Sequence, residues 1–445
     1  MHQKKLFLMI FFIITSLLMG CTFRDEPSNQ VTDDEDGKQD HPIIELSFWR
    51  NLGNEAENKA FIAIIEAFEE KNPHIKINMS LIPFGDYEIR LRTEVAAGNT
   101  PDIMAIDSPN LATYANANAI RSIDAWMEAE GNLEDIPMTI LNGLIYNDEI
   151  YLAPIADSSI AMFYNKNLFK EKGIPFPSEN PNSPWTWDEV LEAAKQLTDL
   201  EKGVYGIDPA QGFPVGEAPA YFKLPLMWQF GAEIISEDGR TTDGYLNSPK
   251  SLKALQFYQD LYHKHKVAAF ELPPNPFATE KVAISIEGSW ALEHLQNNFP
   301  DFTLGEDFGI APLPIAEKQV AANGGWALGI STNTEYPEEA WEFVKFATSY
   351  EGIKIYVEKT GDIPARYSVV KEFPKFNQYP HNIFLIQSQK YSKNRPVTPI
   401  YPTVSATIRE LFLEVGVSNE NVLDAANRAV RKIDQEILRI ENNRN

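Results

Sequence analysis

Cysteine is nearly absent. The 445 residues contain one, Cys21, so no disulfide can form within the fold. Histidine is sparse, seven in all, and His263 and His265 stand two apart on a predicted helix. At that spacing they point to different faces and make a poor metal pair, so no metal and no cofactor is expected. A basic surplus is missing too: 39 Lys and Arg against 63 Asp and Glu give a formal net charge of −24. Phosphate backbones need a basic surface, which argues against nucleic acid. The same charge argues against broad docking on anionic lipid. Beyond the N-terminus no apolar run could span a membrane. There is no Gly-x-Ser-x-Gly elbow, phosphate loop or His-Glu-x-x-His. Carboxylates are abundant, so a glycosidase pair stays open as an alternative.

The one cysteine has a telling place. Lys4 and Lys5 precede an uncharged apolar run, 6–20, that ends in Leu18-Met19-Gly20-Cys21. The run is shorter than the ~20 residues of a spanning helix and fits a secretory signal. Its Leu-x-Gly-Cys ending resembles a bacterial lipobox, which implies that 1–20 is a lipoprotein signal peptide and that Cys21 is lipidated. An ordinary signal with an incidental cysteine is the alternative. The expected location is extracytoplasmic, lipid-anchored to the bacterial cell membrane. Residues 21–42 read as an acidic tether, with Arg24 and Lys38 against Asp25, Glu26, Asp33, Asp34, Glu35, Asp36 and Asp40. Asp34, Asp36 and Gly37 hint at a calcium loop, but that register puts Ile43 where the bidentate glutamate belongs.

The remaining chain, about 400 residues, is too long for one core and suggests two lobes. Residues 43–49 read as a strand. Phe61, Ile64, Ile65 and Phe68 mark one helical face, ended by Pro73. Ile75, Ile77, Met79 and Leu81 alternate as a second strand. A helix from about Asp86 ends at Gly98, and 103–106 is a third strand. This order implies a parallel sheet with helices on both faces, whose ligands sit beyond the carboxyl ends of the strands. That rule selects Trp49, Arg50 and Asn51, and then Asp107. Thr186 to Glu189 forms a capping box, Ser248-Pro249 opens a helix, and 282–286 is a short strand. The stretch 203–225, rich in Gly and Pro, resists assignment.

A sugar pocket needs flat apolar faces for the ring and fixed polar groups for the hydroxyls. Trp49, Trp290 and Trp326 each stand where a strand-like run meets a loop. Their neighbours are Arg50-Asn51, Glu287-Gly288-Ser289 and Asn323-Gly324-Gly325. Glu287 joins the candidate set on this ground. Trp187, Trp228 and Trp341 lie in helical patterns and are expected in the core.

Further motifs run in a consistent order. They are Phe68-Glu69-Glu70-Lys71-Asn72-Pro73-His74-Ile75, Ala97-Gly98-Asn99-Thr100-Pro101-Asp102-Ile103 and Phe163-Tyr164-Asn165-Lys166-Asn167-Leu168-Phe169. Thr186-Trp187-Asp188-Glu189, Gly288-Ser289-Trp290, Gly309-Ile310-Ala311-Pro312-Leu313-Pro314 and Gly324-Gly325-Trp326-Ala327-Leu328 follow. Over residues 43–437 the chain resembles extracellular solute-binding proteins of ABC importers, in the carbohydrate-binding group that includes maltodextrin binders. The resemblance implies a type II periplasmic-binding-protein-like α/β fold: two lobes, a multi-segment hinge and a ligand cleft between them. Lobe 1 would hold 43–152 and 313–358, and lobe 2 would hold 153–312 and 359–445. Crossovers are expected near 151–156, 310–313 and 359–364. By position, the family's cleft residues correspond to Trp49, Asp107, Asp157, Trp290, Trp326, Arg366 and Tyr401. The implied function is capture of a carbohydrate, an oligosaccharide by preference, for ABC permease subunits in the membrane, by a monomer without catalysis. Arg50 departs from the acidic residue usual in that loop of maltodextrin binders and leaves room for an anionic solute. A surface glycoside hydrolase and a binder serving a membrane sensor are the other readings.

Overall fold

The alternating pattern at the start of the globular part forms as read. In this computed structural model, which describes residues 42–210 and 216–444, β1 (Ile44–Leu52), α1 (Glu55–Lys71), β2 (Ile75–Pro83), α2 (Phe84–Ala97) and β3 (Ile103–Asp107) follow in order. The expected signal peptide, Cys21 and the acidic stretch to His41 lie outside the described residues. Asn54 and Glu57 form a capping box that starts α1, and Gly98 closes α2 at φ 76°, where a Cβ would be strained. β1 pairs in parallel with β2 and β3. It runs three residues past the expected end, with Leu52 opposite Pro83. Arg50 and Asn51 are therefore rungs near the end of a strand and not a loop.

Two later strands complete this first sheet, both added antiparallel. Trp326–Ile330 pairs with β3, and Ala153–Pro154 pairs with Trp326–Ile330. A second sheet holds Phe308–Ala311, Ile160–Asn165, Val282–Gly288 and Tyr205–Asp208, in that spatial order. Helices Ala218–Gln229, Pro249–His263 and Tyr401–Gly416 cover one face of it, and Phe163, Phe277, Phe308 and Phe384 pack on the other. The fold is thus two α/β lobes. The unassigned stretch supplies the strand Tyr205–Asp208 and the helix Ala218–Gln229, whose residues 219–229 are all buried. A helix buried all round shows no amphipathic period, and Pro225 inside it hides it further. Trp187, Trp228 and Trp341 are buried in the cores, as read.

The chain crosses between the sheets more than once. Ala156–Asp157 leaves the first sheet and pairs with Ile363–Pro364, and Ser158 bridges to Gly324. Two expectations move here. Residues from 313 were assigned to the first lobe, but Leu313, Ala321 and Ala322 pack in the core under the second sheet. Residues from 359 were assigned to the second lobe, but Ile363, Ala365, Val369 and Val370 join the core that includes the first sheet, and Arg366 bonds to residues 131 and 132. The chain returns to the second sheet further on, where Phe384 meets Phe163.

Candidate functional site

Strand ends and helix starts from both sheets converge on a cavity of about 410 Å³. β1 supplies Arg50 and Asn51, and β3 supplies Asp107. Trp326 stands opposite Asp107 in the antiparallel ladder, so indole and carboxylate share a face of the sheet. From the other side come Glu217 and Tyr221 at the start of the helix Ala218–Gln229, and Trp290 just beyond Val282–Gly288. Trp326 packs edge-on to Tyr87 at 5.6 Å and to Phe84 at 6.5 Å. Trp290 lies 6.0 Å from Tyr221 and 6.2 Å from Phe222. Two glycines allow this closeness. A Cβ on Gly325 would meet the Ala156 carbonyl oxygen at 2.2 Å, and one on Gly324 would meet Tyr221 and Arg395 at 2.8 Å.

The charged groups are mostly committed to one another. Arg395 donates from Nη2 to Asp107 Oδ1 at 2.8 Å and from Nη1 to Glu217 Oε1 at 2.9 Å. Its guanidinium sits 5.1 Å from the Tyr221 ring. Burial alone would lower the pKa of Arg395, but Asp107, Tyr401 and Glu217 together raise it. Burial pushes Glu217 up, against Arg395, Ser405 and Tyr401. Asp157 accepts from the Ser158 and Gly324 amides at 2.9 and 3.1 Å and from the Ser388 hydroxyl. Burial still pushes it up to about 6. Arg50 Nη1 donates to Asn58 Oδ1 at 3.1 Å, Nη2 lies 3.6 Å from Glu57, and the guanidinium covers the Phe61 ring at 4.2 Å. Asp362, at the same rim, is pushed up to about 8 by burial and then by Glu57.

The structure thus brings Arg50, Asn51, Asp107, Asp157, Trp290 and Trp326 to one cavity. Asp107 and Asp157, expected to grip hydroxyls, spend their oxygens on protein donors. Glu287 lies next door, in a cavity of about 760 Å³ that shares Trp290 and Asn54 with the first. It accepts from Ser285 at 2.6 Å, and burial pushes it up to about 7. Besides Glu287, three more expected residues fall outside the first cavity, and they line neither. Trp49 neighbours Arg50 in β1 and so faces the other side, where Arg90 covers its ring at 4.8 Å. Arg366 is 5% exposed and donates to the carbonyls of Thr348, Asn132 and Gly131, which makes it a backbone fastener of the first lobe. Tyr401 is fully buried behind Glu217, to which its hydroxyl donates. Arg395, Glu217 and Tyr221 were missed. Glu217 and Tyr221 lie in the stretch that resisted assignment, and no local pattern sets Arg395 apart.

Comparison with known proteins decides the family. Residues 53–354 match the family of bacterial extracellular solute-binding proteins. The chain belongs to that family. A binding protein of Brucella abortus is 26% identical to this solute-binding protein, over 83% of this chain and 88% of its own. The multiple sugar-binding protein of Streptococcus mutans is 24% identical, over 69% of this chain and 72% of its own. An ABC transporter solute-binding protein of Thermotoga lettingae, solved with α-D-tagatose, superposes with a TM-score of 0.77 at 26% identity. That match covers 88% of this chain and all of the other. Among the described residues of this solute-binding protein no helix is long and apolar enough to cross a membrane, and no group of three His, Cys, Asp or Glu is placed to hold a metal.

Proposed function

We propose that this solute-binding protein captures a neutral carbohydrate outside the cytoplasmic membrane and hands it to the permease subunits of an ABC importer. A lipid on Cys21 holds it at the membrane. The observation that carries the sugar reading is the pair Trp290 and Trp326, brought from opposite sheets to one cavity with small residues beside them. Flat apolar faces on two sides with polar groups between suit a pyranose. Relatives that take sugars support the same reading.

The cations at the cavity argue for a neutral ligand. Arg50 and Arg395 are already bonded to protein acceptors, and Glu57, Asp107, Asp157 and Glu217 line the same cavity. An anion entering there would meet surplus negative charge. Catalysis has little support. A glycosidase needs two carboxyl groups directed at the scissile bond, and Asp107, Asp157 and Glu217 are engaged elsewhere.

A thermal-shift screen tests the proposal, with neutral oligosaccharides, tagatose, uronates and polyols as probes. A ligand that binds only the folded state raises the melting temperature. A neutral sugar is expected to do so and to be recovered unchanged by mass spectrometry. A response to uronates alone, or turnover of the sugar, would overturn it.

A further inference from the structure

Residues 394–399 run along the junction between the lobes. The segment is tied to the second lobe at both ends. Ser392–Lys393 pairs with Ala321–Ala322, and Tyr401 begins the helix that binds Glu217. Between those ties it reaches the first lobe three times. Asn394 Nδ2 donates to the Thr139 carbonyl at 3.1 Å, Arg395 holds Asp107 at 2.8 Å, and the Pro399 carbonyl accepts from Thr113 at 3.2 Å.

Only the middle contact is an ion pair, and it is almost dry. The Arg395 side chain is 2% exposed and that of Asp107 12%. A bidentate arginine–carboxylate pair in such surroundings is directional and weakly screened by salt. Glu217, from the second lobe, holds the same guanidinium in place, and Tyr401 and Ser405 hold Glu217. The cation is thus built into one lobe and offered to a carboxylate of the other. At the cavity mouth the lobes also touch, where a Cβ on Gly216 would meet the Phe84 ring at 2.8 Å.

We infer that Arg395 is a positioning residue, a latch that draws Asp107 and its lobe toward the second lobe before ligand arrives. The latch sets affinity through the fraction of molecules already closed, since apparent affinity scales with the population competent to bind. This goes beyond the sugar reading, because it concerns the protein's own equilibrium and holds for any ligand.

The test needs no ligand. Cys21 is replaced by Ser, and spin labels are placed on Ile89→Cys in the first lobe and Leu200→Cys in the second, both exposed positions. Pulsed electron spin resonance then gives the distribution of distances between the lobes in the free protein. Asp107→Asn keeps the shape of the side chain and removes its charge. It is expected to raise the open-to-closed ratio by about five-fold or more, the lower end of ordinary coupling between sites. Arg395→Lys, which keeps the charge and loses the fork, is expected to fall between Asp107→Asn and wild type. If 394–399 is instead a fixed part of the hinge, a folded Asp107→Asn protein will give the wild-type distribution, and the latch is refuted. Should Asp107→Asn fail to show a cooperative melt, Arg395→Lys carries the same comparison. An unchanged distribution there refutes the latch equally.

Discussion

Replacing Trp290 or Trp326 by Ala separates a binding surface from a core. A Trp that only filled a core would cost ~3–5 kcal/mol of stability when truncated. Neither ring is so enclosed. Each is partly buried and, among the described residues, has two tilted or edge-on aromatic neighbours at 5.6–6.5 Å. At about 0.5–1.5 kcal/mol per aromatic pair, these contacts are worth roughly 1–3 kcal/mol beyond the area each indole buries, so truncation should lower the melting temperature by a few degrees. The loss in binding should be larger in proportion. A ligand ring covering one indole face buries roughly 100 Å², near half of a tryptophan, worth about 2.5 kcal/mol at 25 cal/mol per Å². That is close to 70-fold in Kd. Calorimetry with the sugar found in the thermal-shift screen reads the affinity, and a melt of the free variant reads the stability. Wild-type affinity in both variants would show that the rings do not touch the ligand. A loss of 3–5 kcal/mol in the free protein, or failure to fold, would show that they are core.

Other expectations follow from the same structure. Glu287 has a folded pKa near 7 against an ordinary 4.5, so the stability it permits is fully present below pH 4.5 and is lost as pH rises through 7. Glu287→Gln should therefore match wild type at pH 4.5 and melt higher at pH 8, and an equal difference at both would refute the assignment. Gly325→Ala should cost about 1–3 kcal/mol, because its Cβ would stand 2.2 Å from the Ala156 carbonyl oxygen and backbone must move; an unchanged denaturation midpoint would contradict this. Cys21→Ser should release the protein from the membrane or stall its processing, and an unmodified Cys21 in mass spectra of the mature native protein would refute lipidation.

Some of this protein is written locally. The first three strands, their helices and the cap at Gly98 follow from period and punctuation, because each depends on residues a few positions apart. The two tryptophans were legible for the same reason: a ring, a strand end and small neighbours lie side by side in the chain. The pairing of β3 with Trp326–Ile330 was not legible, because those strands are over 200 residues apart and no local signal states register. Arg366 and Arg395 look alike in sequence. One became a fastener of carbonyls inside a lobe and the other a bridge between lobes, according to what the fold placed beside each. Asp107 and Asp157 both line the cavity, yet their oxygens were claimed by Arg395 and by backbone amides that only folding brings near. Residue type and spacing marked Arg50, Asn51, Asp107, Trp290 and Trp326 among the groups that line the cleft, but not Glu217, Tyr221 or Arg395. The tertiary structure alone decided which of them still have a bond to offer, since that depends on partners distant in the chain.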